Sequence, residues 1–248
     1  IKSTGEPTYR LPDIAYHKNK YKRKYDLMVD IFGADHMDAY PDVLAAINSL
    51  GFNPQKVKVL IYQFVTILKD GAPIKMSTRK ANFISLENLI DEVGADVTRF
   101  FFIMRSINSH LNFDLDVAKE QSDVNPVFYI QYAHARCCSI IKRFEKKVEL
   151  INPEVLNLLT NELEAQIISK LIEFPELISK CANTLEPQNI ANFLSELSSM
   201  LHSYYSKVKV IDTQSSDITE SRIYLINAIR IVLRNGLNLL GISAPNKM

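Results

Sequence analysis

The sequence predicts an α/β region followed by an all-α region, and three observations carry that expectation. Two apolar runs of strand length, Leu27–Phe32 and Val57–Gln63, flank one helical segment. The dipeptide Asp70-Gly71, the strongest short turn signal in the chain, follows the second apolar stretch. Beyond Ser122 the apolar residues recur at helical spacing, with no strand alternation and no Asp-Gly or Asn-Gly turn.

At 248 residues the chain suits one large or two ordinary domains. A formal net charge of +1 gives no global polyanion signal, so any nucleic-acid contact must come from local patches. No run of 18 apolar residues and no signal peptide occur, which argues against membrane insertion and secretion and predicts a cytoplasmic protein. Cys137, Cys138 and Cys181 are odd in number and fit no metal-ligand spacing, as expected of reduced cytosolic thiols, and no protein-bound metal is expected. The start at Ile1, without methionine and in a polar turn-like segment, reads as a piece of a longer protein.

Taken in order, residues 1–24 read as an irregular or hairpin entry, with Gly5 and Pro7 as breakers. Lys18, Lys20, Lys22, Arg23 and Lys24 are the densest basic run, either a solvated helix face or a phosphate contact. Leu27–Phe32 reads as a mostly buried strand ending in Gly33-Ala-Asp35-His36. A glycine there admits a ligand to the backbone, and an acidic residue just beyond can accept from ribose hydroxyls or simply satisfy a turn. Asp42–Leu50 reads as a helix closed by Gly51, so that strand, helix and strand make a parallel βαβ unit. The loop Lys75-Met76-Ser77-Thr78-Arg79 offers two cations and two hydroxyls; it is an exposed basic loop or one that neutralises a polyphosphate. Ser85 is placed to cap a helix ending at Gly94, and Asp96 to cap another over Val97–Arg105. Phe113-Asp-Leu-Asp116 reads as a turn and a further helix start.

Asn125-Pro126 supplies an N-cap and an N1 proline, and Val127, Ile130, Ala133, Cys137, Ile140 and Phe144 share one face of the helix that follows. Leu156–Cys181, Ile190–Val208 and Ile218–Leu240 repeat the amphipathic pattern and predict a helical bundle.

Several of these segments together resemble arginyl-tRNA synthetases, from the second half of the catalytic domain through the helical domain. They are Tyr9-x-x-x-Asp13-Ile-Ala-Tyr-His17, Gly33-Ala-Asp-His36, Lys75-Met-Ser-Thr-Arg79, Arg99-Phe-Phe-Phe, the run Asn125–Arg136 and the ending Leu-Gly-Ile-Ser-Ala-Pro-Asn-Lys-Met248. The resemblance implies a partial Rossmann-like nucleotide-binding fold over residues 1–121 and a helical-bundle anticodon-binding domain over 122–248. It also implies ATP-dependent formation of arginyl-adenylate and transfer to the tRNA 3′ end, with Mg²⁺ accompanying ATP. Lys75, Met76 and Ser77 match the family's phosphate loop, while Thr78 and Arg79 depart from it, with Arg79 the candidate second cation. Tyr9 and Asp13 match the arginine-recognising pair; on residue type alone Asp13 reads as a helix N-cap. Gly33, Asp35 and His36 match the region that holds the adenosine ribose and borders the arginine pocket. Tyr129, Tyr132 and Arg136, at i, i+3 and i+7, match the anticodon platform, as do Tyr205 and Met248; core packing is the other reading of such a tyrosine stripe.

The His-x-Gly-His signature of the family's first sheet half does not occur, so the sequence alone predicts a piece that cannot make arginyl-adenylate by itself and that lacks the amino-terminal half of the enzyme. A stand-alone RNA-binding module derived from a synthetase is the alternative, against which the retained loop and the Tyr9/Asp13 pair argue. A cysteinyl-tRNA synthetase would need zinc ligands that the Cys/His spacing does not provide.

Overall fold

The computed structural model describes residues 2–6, 8, 10–74, 84–144, 146–148 and 152–248. The chain divides into two compact units, residues 1–66 with 107–112, and residues 67–106 with 113–248.

The first unit begins with a helix where a loop or hairpin was expected: α1 spans Arg10–Lys22. The breakers Gly5 and Pro7 lie ahead of it, and Pro12 sits in its first turn, where the missing N–H has no intrahelical partner to lose. Of the basic run, Lys18 and Lys22 are exposed on the helix and Arg23 and Lys24 are exposed just beyond its end, but Lys20 turns inward to Asp30. Strands β1 (Met28–Gly33) and β2 (Val57–Tyr62) pair in parallel, from Met28 opposite Val57 to Gly33 opposite Tyr62. Helix α2 (Tyr40–Ser49) lies between them in sequence and closes at Gly51, whose φ of +82° suits glycine, so the expected βαβ unit forms. β1 is not mostly buried as expected. Met28 and Asp30 are covered while Val29 and Ile31 are 40% and 63% exposed, because only one face of this two-stranded sheet is packed.

A second sheet has the order β4-β3-β5, with β3 at Val65–Lys69, β4 at Ala72–Pro73 and β5 at Leu111–Asp114; the unit boundary runs through β3 and β5. Asp70 and Gly71 join β3 to β4 with φ of +50° and +71°, the paired positive values of a type I′ turn.

In the second unit α3 (Leu86–Val93) starts with a capping box between Ser85 and Asn88 and stops at Gly94, φ +86°. Helix α4 (Ala95–Ile103) follows directly, so Asp96 lies inside it and is not its cap; its carboxylate is used by the C-terminal segment instead. Asp114 caps α5 (Leu115–Lys119). Asn125 caps α6 (Pro126–Lys142), and its amide donates to the carbonyls of Ala118 and Glu120 at 3.1 and 3.0 Å. Among the described residues no strand follows Asp114. Helices α7 (Glu162–Thr184), α8 (Gln188–Lys207) and α9 (Ser216–Leu239) complete the bundle.

The buried face of α6 carries Val127, Ile130, Ala133, Cys137 and Ile140, as its spacing predicts, and packs on α8 and α9, whereas Phe144, expected on the same face, lies past the end of the helix and is half-buried. One polar cluster interrupts the apolar core. Glu164 is fully buried and accepts from Tyr204 Oη at 2.9 Å, Arg222 Nε at 3.0 Å and the Asn161 N–H at 3.1 Å. With three donors the carboxylate is satisfied, which is the condition for holding it in the core.

Candidate functional site

Tyr9 and the loop residues Lys75, Met76, Ser77 and Arg79 lie outside the described residues. The remaining sequence-predicted positions fall in two places, one in each unit.

In the first unit Asp13, His17, Asp30, Phe32, His36 and Tyr40 line one narrow cleft. α1 contributes Asp13 and His17 one turn apart; the carboxyl end of β1 contributes Phe32 and leads into the 3₁₀ turn Ala34–His36. Asp13 is exposed in the first turn of α1, three residues after the helix begins, so it is not the N-cap. His36 stacks on Phe32 with centroids 5.5 Å apart, and its Nε2 lies 3.8 Å from the exposed Asp35 carboxylate. Gly33 has ordinary extended dihedrals; a Cβ there would stand 2.7 Å from Asp35 Oδ1, so glycine lets that carboxylate fold back over the strand end.

In the wall of the cleft is a charged group for which the sequence reading assigned no role. His17 Nδ1 donates to the Asp13 carbonyl at 2.8 Å and His17 Nε2 donates to Asp30 at 2.6 Å; Lys20 also bonds Asp30. Both partners of the ring are oxygens, an arrangement that favours the doubly protonated, cationic imidazole. The Asp30 hydrogen bond holds the His17 pKa above its ordinary value against the opposing effect of burial. Burial pushes the Asp30 pKa up, but the His17 and Lys20 hydrogen bonds outweigh it and leave it below the usual carboxylate range. The available signal was Asp30 itself, an acidic residue inside the apolar run Leu-Met-Val-Asp-Ile-Phe, which is tolerated when buried only if it is paired.

In the second unit a groove of about 690 Å³ runs beside α6. Tyr132, Arg136 and Tyr205 form its aromatic side, and Lys142, Arg143 and Lys247 add positive charge with no acidic residue in the lining. The Arg136 guanidinium lies 4.7 Å from the Tyr132 ring centroid and 5.0 Å from that of Tyr205. It donates to Tyr132 Oη at 2.7 Å and to His202 Nδ1 at 3.2 Å. His202 is the residue that sequence reasoning missed here. Burial and the Arg136 charge hold its pKa below the ordinary value, so a neutral imidazole accepts from the arginine and fixes the fork. Met248 lines the same groove. Tyr129 does not: it packs on His202 at 4.7 Å in an adjoining recess that shares Tyr132 and is also lined by Asp123 and Phe128. The neighbouring tyrosines of α8 separate completely, Tyr204 being fully buried on Glu164 and Tyr205 37% exposed in the groove.

Among the described residues no cluster of three His, Cys, Asp or Glu side chains that could hold a metal ion occurs. Among them, too, no helix is long and apolar enough to cross a membrane.

Residues 130–248 match the DALR anticodon binding domain family. The whole chain is 48% identical to an arginine–tRNA ligase of Salinibacter ruber and 50% identical to one of Chlorobaculum parvum, covering 44% and 46% of those proteins. The fold superposes with a TM-score of 0.89, at 30% identity, on the crystal structure of a protein named as an arginyl-tRNA synthetase from Campylobacter jejuni, covering all of this chain and 54% of that one. The chain thus spans a little under half the length of the curated relatives it matches. Over its whole length the chain is similar to arginine–tRNA ligases, and over residues 130–248 to the DALR anticodon binding domain.

Proposed function

We propose that the chain serves arginine–tRNA ligation, reading the tRNA anticodon with the groove of its helical domain and supplying the arginine and nucleotide subsites from its α/β part. The observation that carries this reading is the groove itself: a guanidinium held between Tyr132 and Tyr205 in a lining with four cations and no acid. Unstacked bases have π-faces that such rings accept, and the cations take the phosphates between them. Tyr129 extends the stacking surface into the adjoining recess, and Met248 supplies an apolar contact at the groove's other side. The domain division in this reading is 1–121 and 122–248.

In the α/β part, the arginine guanidinium is taken by Asp13 with Tyr9 beside it, and His36 borders the same pocket. Support comes from the cleft that Asp13 and His36 share, and from the other aspartates near it being engaged: Asp30 with His17 and Lys20, Asp42 with Arg10. Gly33, Asp35 and His36 receive the adenosine, and Lys75, Met76, Ser77 and Arg79 balance the phosphate charge. An oxygen of the arginine carboxylate attacks the α-phosphorus of ATP and the bond from that phosphorus to pyrophosphate breaks; a ribose hydroxyl at the tRNA 3′ end then attacks the aminoacyl carbonyl carbon, whose bond to the adenylate oxygen breaks to release AMP. Mg²⁺ accompanying ATP would offset the charge of its phosphates. The working complex includes the amino-terminal half of such an enzyme, and the setting is the cytoplasm.

The test is binding of the chain to tRNA with an arginine anticodon and to the same tRNA with an altered anticodon, at two salt concentrations. Discrimination that survives the higher salt is the expected result. Equal binding of both, with affinity falling steeply with salt, would reduce the groove to a phosphate-binding patch. With four cations engaged, the log–log salt slope should not exceed about 3.

A further inference from the structure

The C-terminal segment Gly241–Met248 forms no helix or strand, yet it is tied down along its length. Ile242 is buried, and its N–H donates to the Leu237 carbonyl at 2.9 Å. Asp96 of α4 then gathers three donors: the Ser243 N–H at 3.2 Å, the Ser243 hydroxyl, and the Gln131 amide at 2.9 Å. The same Gln131 amide reaches the Ser243 carbonyl at 2.9 Å. Further along, fully buried His134 donates from Nδ1 to the Pro245 carbonyl at 2.9 Å, and Cys138 Sγ lies 3.5 Å from Asn246 Oδ1.

Gln131, His134 and Cys138 fall at i, i+3 and i+7, one stripe of α6. Tyr132 and Arg136 occupy the neighbouring stripe and face the groove. The tail therefore follows the helix edge, and its last three residues, Asn246, Lys247 and Met248, become the groove wall beside Arg136. We propose that Asp96, Gln131 and His134 are positioning residues for RNA recognition, latching the tail so that Lys247 and Met248 stand in the groove before RNA arrives. The proposal rests on the anticodon reading of the groove and adds residues that do not line its Arg136 side. The physical reason is preorganisation: a loose tail would have to be ordered on binding, and that cost is taken from affinity.

Asp96→Asn turns an amide NH₂ toward groups that are themselves donors, and so opens the latch without removing bulk. Measured on the full 248-residue chain, Asp96→Asn should lower affinity for tRNA with an arginine anticodon about tenfold, the cost of ordering two long side chains only on binding. Tail amides from Ser243 onward should exchange faster with solvent. In a chain ending at Ile242, the same substitution should change RNA binding no further, because there is no tail left to position. Ser243→Ala, which removes a single donor, should fall between parent and Asp96→Asn. Parent-like binding by Asp96→Asn, or an equal loss in the shortened chain, overturns the latch while leaving the anticodon reading intact. A parent chain that does not distinguish the two anticodons overturns that reading, and the latch with it.

Discussion

Two adjacent tyrosines on α8 should respond to substitution in opposite ways. Tyr204 is fully buried and donates to the Glu164 carboxylate at 2.9 Å, and burial together with that carboxylate drives its phenol pKa far above the ordinary value. Tyr204→Phe removes only the hydroxyl, leaving Glu164 with the Arg222 and Asn161 donors and one vacant lone pair. A hydrogen bond to a charged group contributes about 1.5–3 kcal/mol, so the expected loss is about 2 kcal/mol. For a domain of this size that lowers Tm by roughly 4–8 °C. Tyr205 is 37% exposed, and its ring lies 5.0 Å from the Arg136 guanidinium. Tyr205→Ala should leave stability within about 0.5 kcal/mol, as exposed substitutions do. It should instead weaken tRNA binding by about 1–3 kcal/mol, the range for losing one base-stacking aromatic. Thermal unfolding by circular dichroism and RNA binding by fluorescence anisotropy on both variants supply the readouts. If Tyr204→Phe loses RNA affinity without stability, or Tyr205→Ala loses stability without affinity, the division of α8 into a core face and a groove face is wrong.

Other expectations follow from single geometries. Arg136→Lys keeps the charge but cannot reach Tyr132 Oη and His202 together with one planar fork, so it should lose most of the anticodon discrimination in tRNA binding while keeping the salt dependence. The His17–Asp30 pair should give the first unit a bell-shaped stability profile in urea unfolding across pH. Because His17 is raised in the folded state, its contribution is full below the unfolded value of about 6.5 and fades as pH climbs through the folded pKa. Because Asp30 is lowered, its contribution is full above about 3.9 and fades as pH falls through its folded pKa, and Asp30→Asn should flatten both limbs. Gly236→Ala would set a Cβ 2.5 Å from Leu194 Cδ2 in the core; the overpacking, about 1–3 kcal/mol, should outweigh the better helix propensity and lower the urea midpoint.

How legible this chain was depends on whether a residue's local pattern and its tertiary use agree. The βαβ unit, the Asp70-Gly71 turn, the Ser85 and Asn125 caps and the buried stripe of α6 are all dictated by neighbours a few residues away, and all form as the sequence predicts. α1 was hidden because the breakers before it dominate the local signal, and its inward contacts, Lys20 and His17 on Asp30, come from a different element. Asp96 reads as a cap from its neighbours, yet its donors come from Ser243, at the far end of the chain. In the groove, nothing local separates Tyr204 from Tyr205; only the turn of α8 against Glu164 decides which ring is core. His202 was passed over for a related reason, since its role exists only through Arg136, 66 positions away, whose fork it holds at 3.2 Å.

The same contrast says where binding specificity should reside. Arg136 is fixed by two partners before any ligand is present: a phenol oxygen at 2.7 Å and an imidazole nitrogen at 3.2 Å. A guanidinium already oriented loses little side-chain entropy on meeting a phosphate or base edge, whereas among the described residues the side chains of Lys142, Arg143 and Lys247 at the groove margin have no hydrogen-bond or ion-pair partner to hold them. Affinity that responds to salt should therefore map to those three margins, and discrimination between anticodons to the held arginine and its tyrosines. Lys142→Ala and His202→Ala separate the two contributions. The first should reduce the salt slope by about 0.7 and affect both tRNAs alike. Removing the imidazole should leave the slope unchanged and lower the ratio between cognate and altered tRNA, since Arg136 would then be held on one side only. A His202→Ala variant with parent-like discrimination would mean that the fork is oriented by Tyr132 alone.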